Sequence, residues 1–418
     1  MKPQQIAIVK PDSGVIGGFE RVVQRVARWL RSQGHVVRVL TVRTDTAPDV
    51  AFGLVPTRAL ERAAPEYITH MTQLAAFRRL DLRDADVVIS TQPPSQAVRH
   101  DRHIALFYHH DRIFYDLEEL MISSGSVDDP ELHRELSALV READAPGLAG
   151  VSQFLVPSQT VRERLRKFNR VQRVLPFYAG LGHAPIALDV ASGSAPTGTS
   201  GSGASGSSGE PAENGRRHVL CVSRHEFPKR TELFVAAAHQ LPEVPAICVG
   251  TGNRLSFVQR IDRHLDRGAT IAAEELWCRE PAGRLPLPGR PGSGRVLFLT
   301  HTTGRELDEL YATALCVVAP AYDEDYGLTA IEAMSAGTPL VVCDDGGSLA
   351  ELVKETGAGL VVPPEHVAIG DAVRRLSYDR VLSARLGDYG RAAVQHRFTW
   401  PRAFDQLQSA LGRVTLSG

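Results

Sequence analysis

Residues 192–209 contain only Ser, Gly, Ala, Pro and Thr, and this run constrains the fold more than any other feature. A segment with no large apolar side chain cannot bury enough surface to offset the entropy of ordering it. No core can be built through it, and it falls near the middle of a 418-residue chain, a length that exceeds one ordinary core and suits two. The expected organisation is two folded units, residues 1–186 and 216–396, joined by a flexible linker over 187–215 and followed by a terminal helix and tail over 397–418. At about 5–6 Å times the square root of its length, such a coil tethers the halves without dictating their geometry.

Both halves carry the same pattern. The first opens with the strand QIAIVK, a Gly-rich turn, and an amphipathic helix from about Phe19 to Ser32. Val22, Val23, Val26, Trp29 and Leu30 follow the helical period, while Arg21, Arg25, Arg28 and Arg31 face water. Gly34 ends the helix, and strands follow at HVVRVLTV, DVVIST, HIALFY and FLVPS. In the second half the strands HVLCVS, AICVG, RVLFLT, LCVVAP, PLVVCDD and GLVVPP alternate with helical segments, and a last helix runs from about Thr399 to Val414. Short, continuously apolar strands between helices predict parallel sheets covered on both faces. Two such α/β, Rossmann-like units would face each other across a cleft, with ligands at the strand carboxyl ends.

Composition narrows the class. The formal net charge is −1, so no global field draws in nucleic acid or anionic lipid, and an anionic ligand needs a local site. The opening apolar run, Ile6 to Val9, is too short for a signal peptide, and no segment approaches a membrane span; the expectation is a cytoplasmic protein. The cysteines are Cys221, Cys248, Cys278, Cys316 and Cys343, four of them inside apolar strand-like runs and none at metal-type spacing.

The most informative stretch runs from Glu324 through Tyr326, Gly327, Leu328, Thr329 and Glu332 to Gly337 and Pro339. LCVVAP ends a strand, a loop carries Glu324 and Gly327, and a helix then spans about Leu328 to Ala336. The free amides and partial positive charge at that N-terminus form a ready phosphate site. Glu332 lies inside the helix beside Leu328, Ile331 and Met334; a carboxylate there needs partners, which ribose hydroxyls would supply. Read alone, the two glutamates would be a solvated loop residue and a helix cap or salt bridge.

The whole string, Ala319 to Pro339, resembles the E-x7-E signature of retaining glycosyltransferases of family 4, which have the GT-B fold. That resemblance implies a nucleoside-diphosphate-sugar donor, with Glu324 on the sugar hydroxyls, Glu332 on the ribose, and the amides of Gly327, Leu328 and Thr329 near the diphosphate. It also implies a terminal helix that returns to the N-terminal half, which forms the acceptor side. Arg224 and Lys229, after HVLCVS, match the family's diphosphate-gripping pair, although Arg230 stands where many relatives have Gly. Lys229 is one of only five lysines, with Lys2, Lys10, Lys167 and Lys354, among 47 Lys and Arg. A lysine in so arginine-rich a chain suggests that a compact ammonium is wanted there.

Gly17 and Gly18 resemble the family's N-terminal glycine loop, where backbone can approach a phosphate closely. Read alone, they are equally a tight turn. HIALFY leads into His109, His110, Asp111 and Arg112, where relatives place a histidine at the reacting sugar. The spacing to the Arg is one residue longer, which leaves the correspondence open; His109 is preferred because it comes first after the strand. Ser348 and Glu351 read as a capping box. Asp323–Asp325 and Asp84–Asp86 match the letters of a metal-binding D-x-D from another fold and read as incidental. The segment Val161 to Arg173, with Arg162, Arg164, Arg166, Lys167, Arg170 and Arg173, reads as a solvated helix face, with peripheral lipid or phosphorylated-acceptor contact as the alternative.

The expected activity is transfer of a sugar from the nucleotide to an acceptor hydroxyl with retention of anomeric configuration, with neither metal nor organic cofactor. The acceptor is left open among lipid, glycan and small molecule. A catalytically silent GT-B protein acting as a binding partner or activator is the alternative, and the intact Arg224, Lys229, Glu324 and Glu332 argue against it.

Overall fold

Continuous apolar runs form the strands of two separate parallel sheets. The structure is a computed structural model that describes residues 2–12, 18–43, 58–181, 216–271, 276–277 and 294–416. The first sheet contains β1 (Gln5–Asp12), β2 (Val36–Arg43), β3 (Val87–Ser90), β4 (His103–Leu106), β5 (Gln153–Val156) and β6 (Val174–Pro176). The second contains β7 (His218–Val222), β8 (Ala246–Val249), β9 (Val296–Leu299), β10 (Ala314–Ala319), β11 (Leu340–Cys343) and β12 (Gly359–Val362). Their spatial orders are β2-β1-β3-β4-β5-β6 and β12-β11-β10-β7-β8-β9. The linker expected at 187–215, Gly17 and Cys278 lie outside the described residues.

These orders locate the sites. In each sheet the chain builds outward in one direction, then returns to the middle and builds in the other, leaving a crevice where the direction reverses. The reversal falls between β1 and β3 in the first sheet and between β7 and β10 in the second. The glycine loop follows β1, the Arg224–Lys229 segment follows β7, and Glu324 follows β10, so every candidate loop but one issues from a switch point.

The first helix, Gly18–Ser32, buries Val22, Val23, Val26, Ala27 and Leu30 and exposes its arginines. The last helix, Trp400–Leu416, crosses back to the N-terminal half. Phe404 stacks on Trp29 at 4.6 Å, and the Tyr178 amide donates to Gln406 Oε1 at 2.9 Å. Ala403, Leu407, Ala410 and Leu411 of this helix are buried in an apolar cluster that also includes Ile6 and Ile8 of β1. Aromatic rings close the seam between the halves. Phe19 meets Tyr108 edge-on at 4.5 Å, Tyr108 meets Tyr326 at 5.7 Å, and the Tyr326 hydroxyl donates to the Ala179 carbonyl at 2.8 Å. Among the described residues no helix is long and apolar enough to cross a membrane.

Candidate active site

Three loops of the second unit, after β7, β10 and β11, are stitched together by backbone. The Tyr322 amide donates to the Pro228 carbonyl at 2.7 Å, the Asp323 amide to Asp345 at 2.9 Å, and the Glu324 amide to Gly346 at 3.1 Å. The Ser348 amide returns a bond to the Glu324 carbonyl at 3.0 Å. This frame brings Lys229 against Glu324, with Nζ 2.5 Å from Oε2 and both side chains largely shielded from solvent.

Arg230 adds a strut to the same frame. Its φ of +49° places it in the left-handed region, which accounts for the glycine that resemblance leads one to expect there. The arginine instead donates from Nε to the Pro320 carbonyl at 2.6 Å and forks onto both Asp345 oxygens at 2.9 and 2.6 Å. Its guanidinium also lies 4.9 Å from the Trp277 ring centre. A buried, bidentate guanidinium of this kind ties the β7 loop to the β11 loop.

Beside this frame, helix Leu328–Ser335 begins at Gly327, whose φ is +74° and whose side takes no capping group. A Cβ at Gly327 would fall 2.5 Å from Leu349 Cδ2, which would have to shift, and the left-handed φ itself disfavours a side chain there. A Cβ on Gly18 would fall 2.8 Å from Leu328 Cδ1. The first residues of two helices, one from each unit, therefore meet at the cleft, and the partial positive charge of each N-terminus converges there. Glu332 is half-buried and accepts from the Tyr311 hydroxyl at 2.8 Å. Burial, with that carboxylate beside it, pushes the Tyr311 hydroxyl's pKa up.

The remaining expected residues are placed differently. Arg224 is exposed at the end of β7 and pairs with Glu226 at 2.8 Å. His109 is half-buried, with Nδ1 2.6 Å from the His110 carbonyl. His110 points into the core of the first unit. It stacks on Tyr115 at 4.2 Å and meets Asn169 Oδ1 at 2.7 Å, and burial pulls its pKa down to about 4. Of the two histidines, His110 is committed to packing.

Two sequence readings are corrected. Arg164 was expected on a solvated face, but it is 5% exposed and reaches across to the second unit. It bonds Asp323 Oδ2, the Asp323 carbonyl and Asp325 Oδ1. The helical period alone does not reveal a partner supplied by another domain. The Ser348–Glu351 capping box does not form, because Gly347, at φ +58°, takes the cap position and leaves Ser348 inside the helix. Glu351 instead accepts from Thr160 of the first unit at 3.1 Å, and burial raises its pKa.

Asp84 and Asp86 are structural. Asp86 accepts from the Gln5 amide at 2.7 Å, and Asp84 pairs with Arg38. Sequence reasoning missed Gly250 and Gly252, after β8. A Cβ on either would lie about 2 Å from the Ser223 or His225 carbonyl of the β7 loop. The G-x-G spacing directly after a strand was the available signal.

Two doubly wound units with facing switch points, an acidic loop and an open helix N-terminus between them, define a GT-B glycosyltransferase fold. The model described as Glycosyltransferase Family 4 matches residues 16–176 and that described as Glycosyl transferases group 1 matches residues 290–393. The chain belongs to these glycosyltransferases. It is 32% identical over 202 residues to the D-inositol 3-phosphate glycosyltransferase of Mycobacteroides abscessus, a match covering 47% of this chain and 39% of that protein. The chain thus spans about a quarter to two-fifths of the length of the curated relatives it matches.

Among solved structures, sucrose-phosphate synthase from Thermosynechococcus elongatus superposes with a TM-score of 0.68 at 19% identity, over 99% of this chain and 100% of that one. HepE of Anabaena, in complex with UDP and glucose, gives 0.59 at 17% identity over 98% and 100%. Both share the fold.

Proposed function

We propose that the protein transfers a sugar from a nucleoside-diphosphate-sugar to an acceptor hydroxyl with retention of anomeric configuration. The observation that carries this reading is the Lys229–Glu324 pair at the β7/β10 switch point, beside the open N-terminus of helix Leu328–Ser335. In this reading residues 216–396 hold the donor and residues 1–186 face the acceptor.

The bond between the anomeric carbon and the diphosphate oxygen breaks, and negative charge grows on the departing phosphate. Lys229, Arg224 and the amides of Gly327, Leu328 and Thr329 stabilise that charge where it develops. Glu324 holds donor-sugar hydroxyls, and Glu332, set by Tyr311, holds the ribose. Arg224 must turn from Glu226 to join them, a rotation open to an exposed side chain. His109, at the cleft side of β4, lies on the sugar. The acceptor attacks from the face the phosphate leaves, and its proton passes to the departing phosphate oxygen. Protein cations and amides do the work on the diphosphate, so no metal or organic cofactor is required. The acceptor falls among lipids, glycans and small molecules, and the site of action is the cytoplasm.

The likeness to a structure holding UDP and glucose supports the donor class. A thermal-shift screen with UDP-, GDP- and TDP-sugars tests it, because a ligand that binds only the folded state raises the melting temperature. One family of nucleotides should raise Tm in proportion to the logarithm of its concentration. No shift with any of them would refute the proposal.

A further inference from the structure

We propose that Arg112 and Arg164 of the first unit are positioning residues for Glu324: they grip the two aspartates that flank it, so Glu324 is set for the donor sugar only while the units are closed on each other. The inference rests on the reading of Glu324 as the sugar-binding carboxylate.

The chain supplies three consecutive carboxylates, Asp323, Glu324 and Asp325. The two aspartates face one way and Glu324 the other. The structure uses that division. Glu324 turns to Lys229 of its own unit, while both aspartates turn to the first unit. Arg164 lies 2.8 Å from Asp323 Oδ2 and also bonds Asp325 Oδ1 and the Asp323 carbonyl. Arg112, from the turn after β4, lies 3.7 Å from Asp323 Oδ2 and 3.5 Å from Asp325 Oδ1.

Asp116 sits between the guanidiniums, 2.7 Å from Arg112 and 3.4 Å from Arg164, and offsets their mutual repulsion. Burial alone would raise the Asp325 pKa, but Arg112 and Arg164 outweigh it and hold the carboxyl below the usual carboxylate range.

The outside grip adds to the backbone bonds that frame this loop within its own unit, and it acts on a residue of unusual conformation. Asp323 has φ +43°, a left-handed setting unusual for a residue with a side chain. Arg164 takes its carbonyl and its carboxylate together, which fixes the residue immediately before Glu324. Opening the cleft would leave three adjacent carboxylates on the second unit with Lys229 beside them, and two guanidiniums on the first with Asp116 between them. Like charges so close repel, and the loop would change its setting. Closure and the aim of Glu324 are therefore one equilibrium.

The test uses the full chain with Arg164→Gln, Asp325→Asn as an isosteric variant on the opposite unit, and Arg166→Gln, an exposed control on the Arg164 helix. Amide hydrogen exchange over residues 322–328 is followed without ligand. UDP and UDP-glucose affinities and turnover are then measured, with the GDP and TDP pairs in parallel.

Arg164→Gln and Asp325→Asn should speed exchange over 322–328 at least tenfold. They should lower kcat at least tenfold while free nucleotide affinity stays within twofold, and Arg166→Gln should change neither. Loop exchange at the wild-type rate in both variants would overturn the proposal, as would a loosened loop with kcat unchanged. If the loop loosens as expected but no nucleotide sugar binds the wild-type chain, the grip on the loop stands and the glycosyltransferase reading is what fails.

Discussion

Lys229 and Glu324 lie 95 residues apart in sequence and 2.5 Å apart in space, on loops that leave neighbouring strands at the β7/β10 switch point. In this arrangement the ammonium waits on the carboxylate, and a bound diphosphate would exchange one negative partner for another. Lys229→Ala should therefore lower kcat/KM by on the order of 3 kcal/mol, comparable to a lost oxyanion donor. Steady-state kinetics beside a thermal melt checks this, and wild-type turnover in a folded Lys229→Ala would contradict it.

Transfer should persist in excess EDTA. Asp323 and Asp325 have the letters of a metal site, but Arg112 and Arg164 already occupy their oxygens. A cation entering there would have to displace two guanidiniums. Loss of activity in EDTA with recovery on adding Mg²⁺ or Mn²⁺ would show that it does.

His70 should make the fold sensitive to base. It is 2% exposed and bridges Asp144 Oδ1 at 2.9 Å and Asp111 Oδ2 at 3.1 Å. Burial alone would lower its pKa, but the two carboxylates override that and push it up to about 10 from an ordinary 6.5. The folded state then keeps a proton that the unfolded chain releases, so this contribution is complete below pH 6.5 and is lost as pH climbs towards 10. Urea midpoints should fall across that window, and His70→Gln should flatten the slope. An equal slope in the variant would assign the effect to other groups.

Gly347→Ala should damage the Glu324 loop from behind. Gly347 has φ +58°, and a Cβ there would fall 2.8 Å from the Asp323 backbone. The backbone strain alone costs about 1–3 kcal/mol, and relieving the clash would displace the residue next to Glu324. A lower Tm with a larger fractional loss of turnover is expected; an unchanged Tm would show that the loop yields freely.

Much of this was legible in the sequence because it is local. The strands are continuous apolar runs, the Leu328 helix is bounded by Gly327 and Gly337, and the arginines of the first helix keep to its exposed face. What escaped depends on the other half of the molecule. Strand β6 has only three residues, Val174–Pro176, too few to show a period. Arg164 carries the pattern of a solvated residue until Asp323 and Asp325 are brought to it. Gly347 and Ser348 differ from a capping box by one position, and that register is set by the bond from the Ser348 amide to the Glu324 carbonyl. His109 and His110 are adjacent in sequence, and contacts such as the Tyr115 ring and Asn169, which the sequence does not show, distinguish them.

The division of labour between the two glutamates is tested most directly by calorimetric titration of the free nucleoside diphosphate into wild type, Glu324→Ala and Glu332→Ala, with turnover measured on the same samples. Glu324 is expected to act on the sugar, and its removal also frees Lys229 for phosphate. Glu324→Ala should therefore bind the nucleotide as tightly as wild type or more tightly, while transfer collapses. Glu332→Ala should weaken the nucleotide itself through the ribose. If Glu324→Ala loses nucleotide affinity as severely as Glu332→Ala with folding intact, or if both variants remain fully active, the account of this site is wrong.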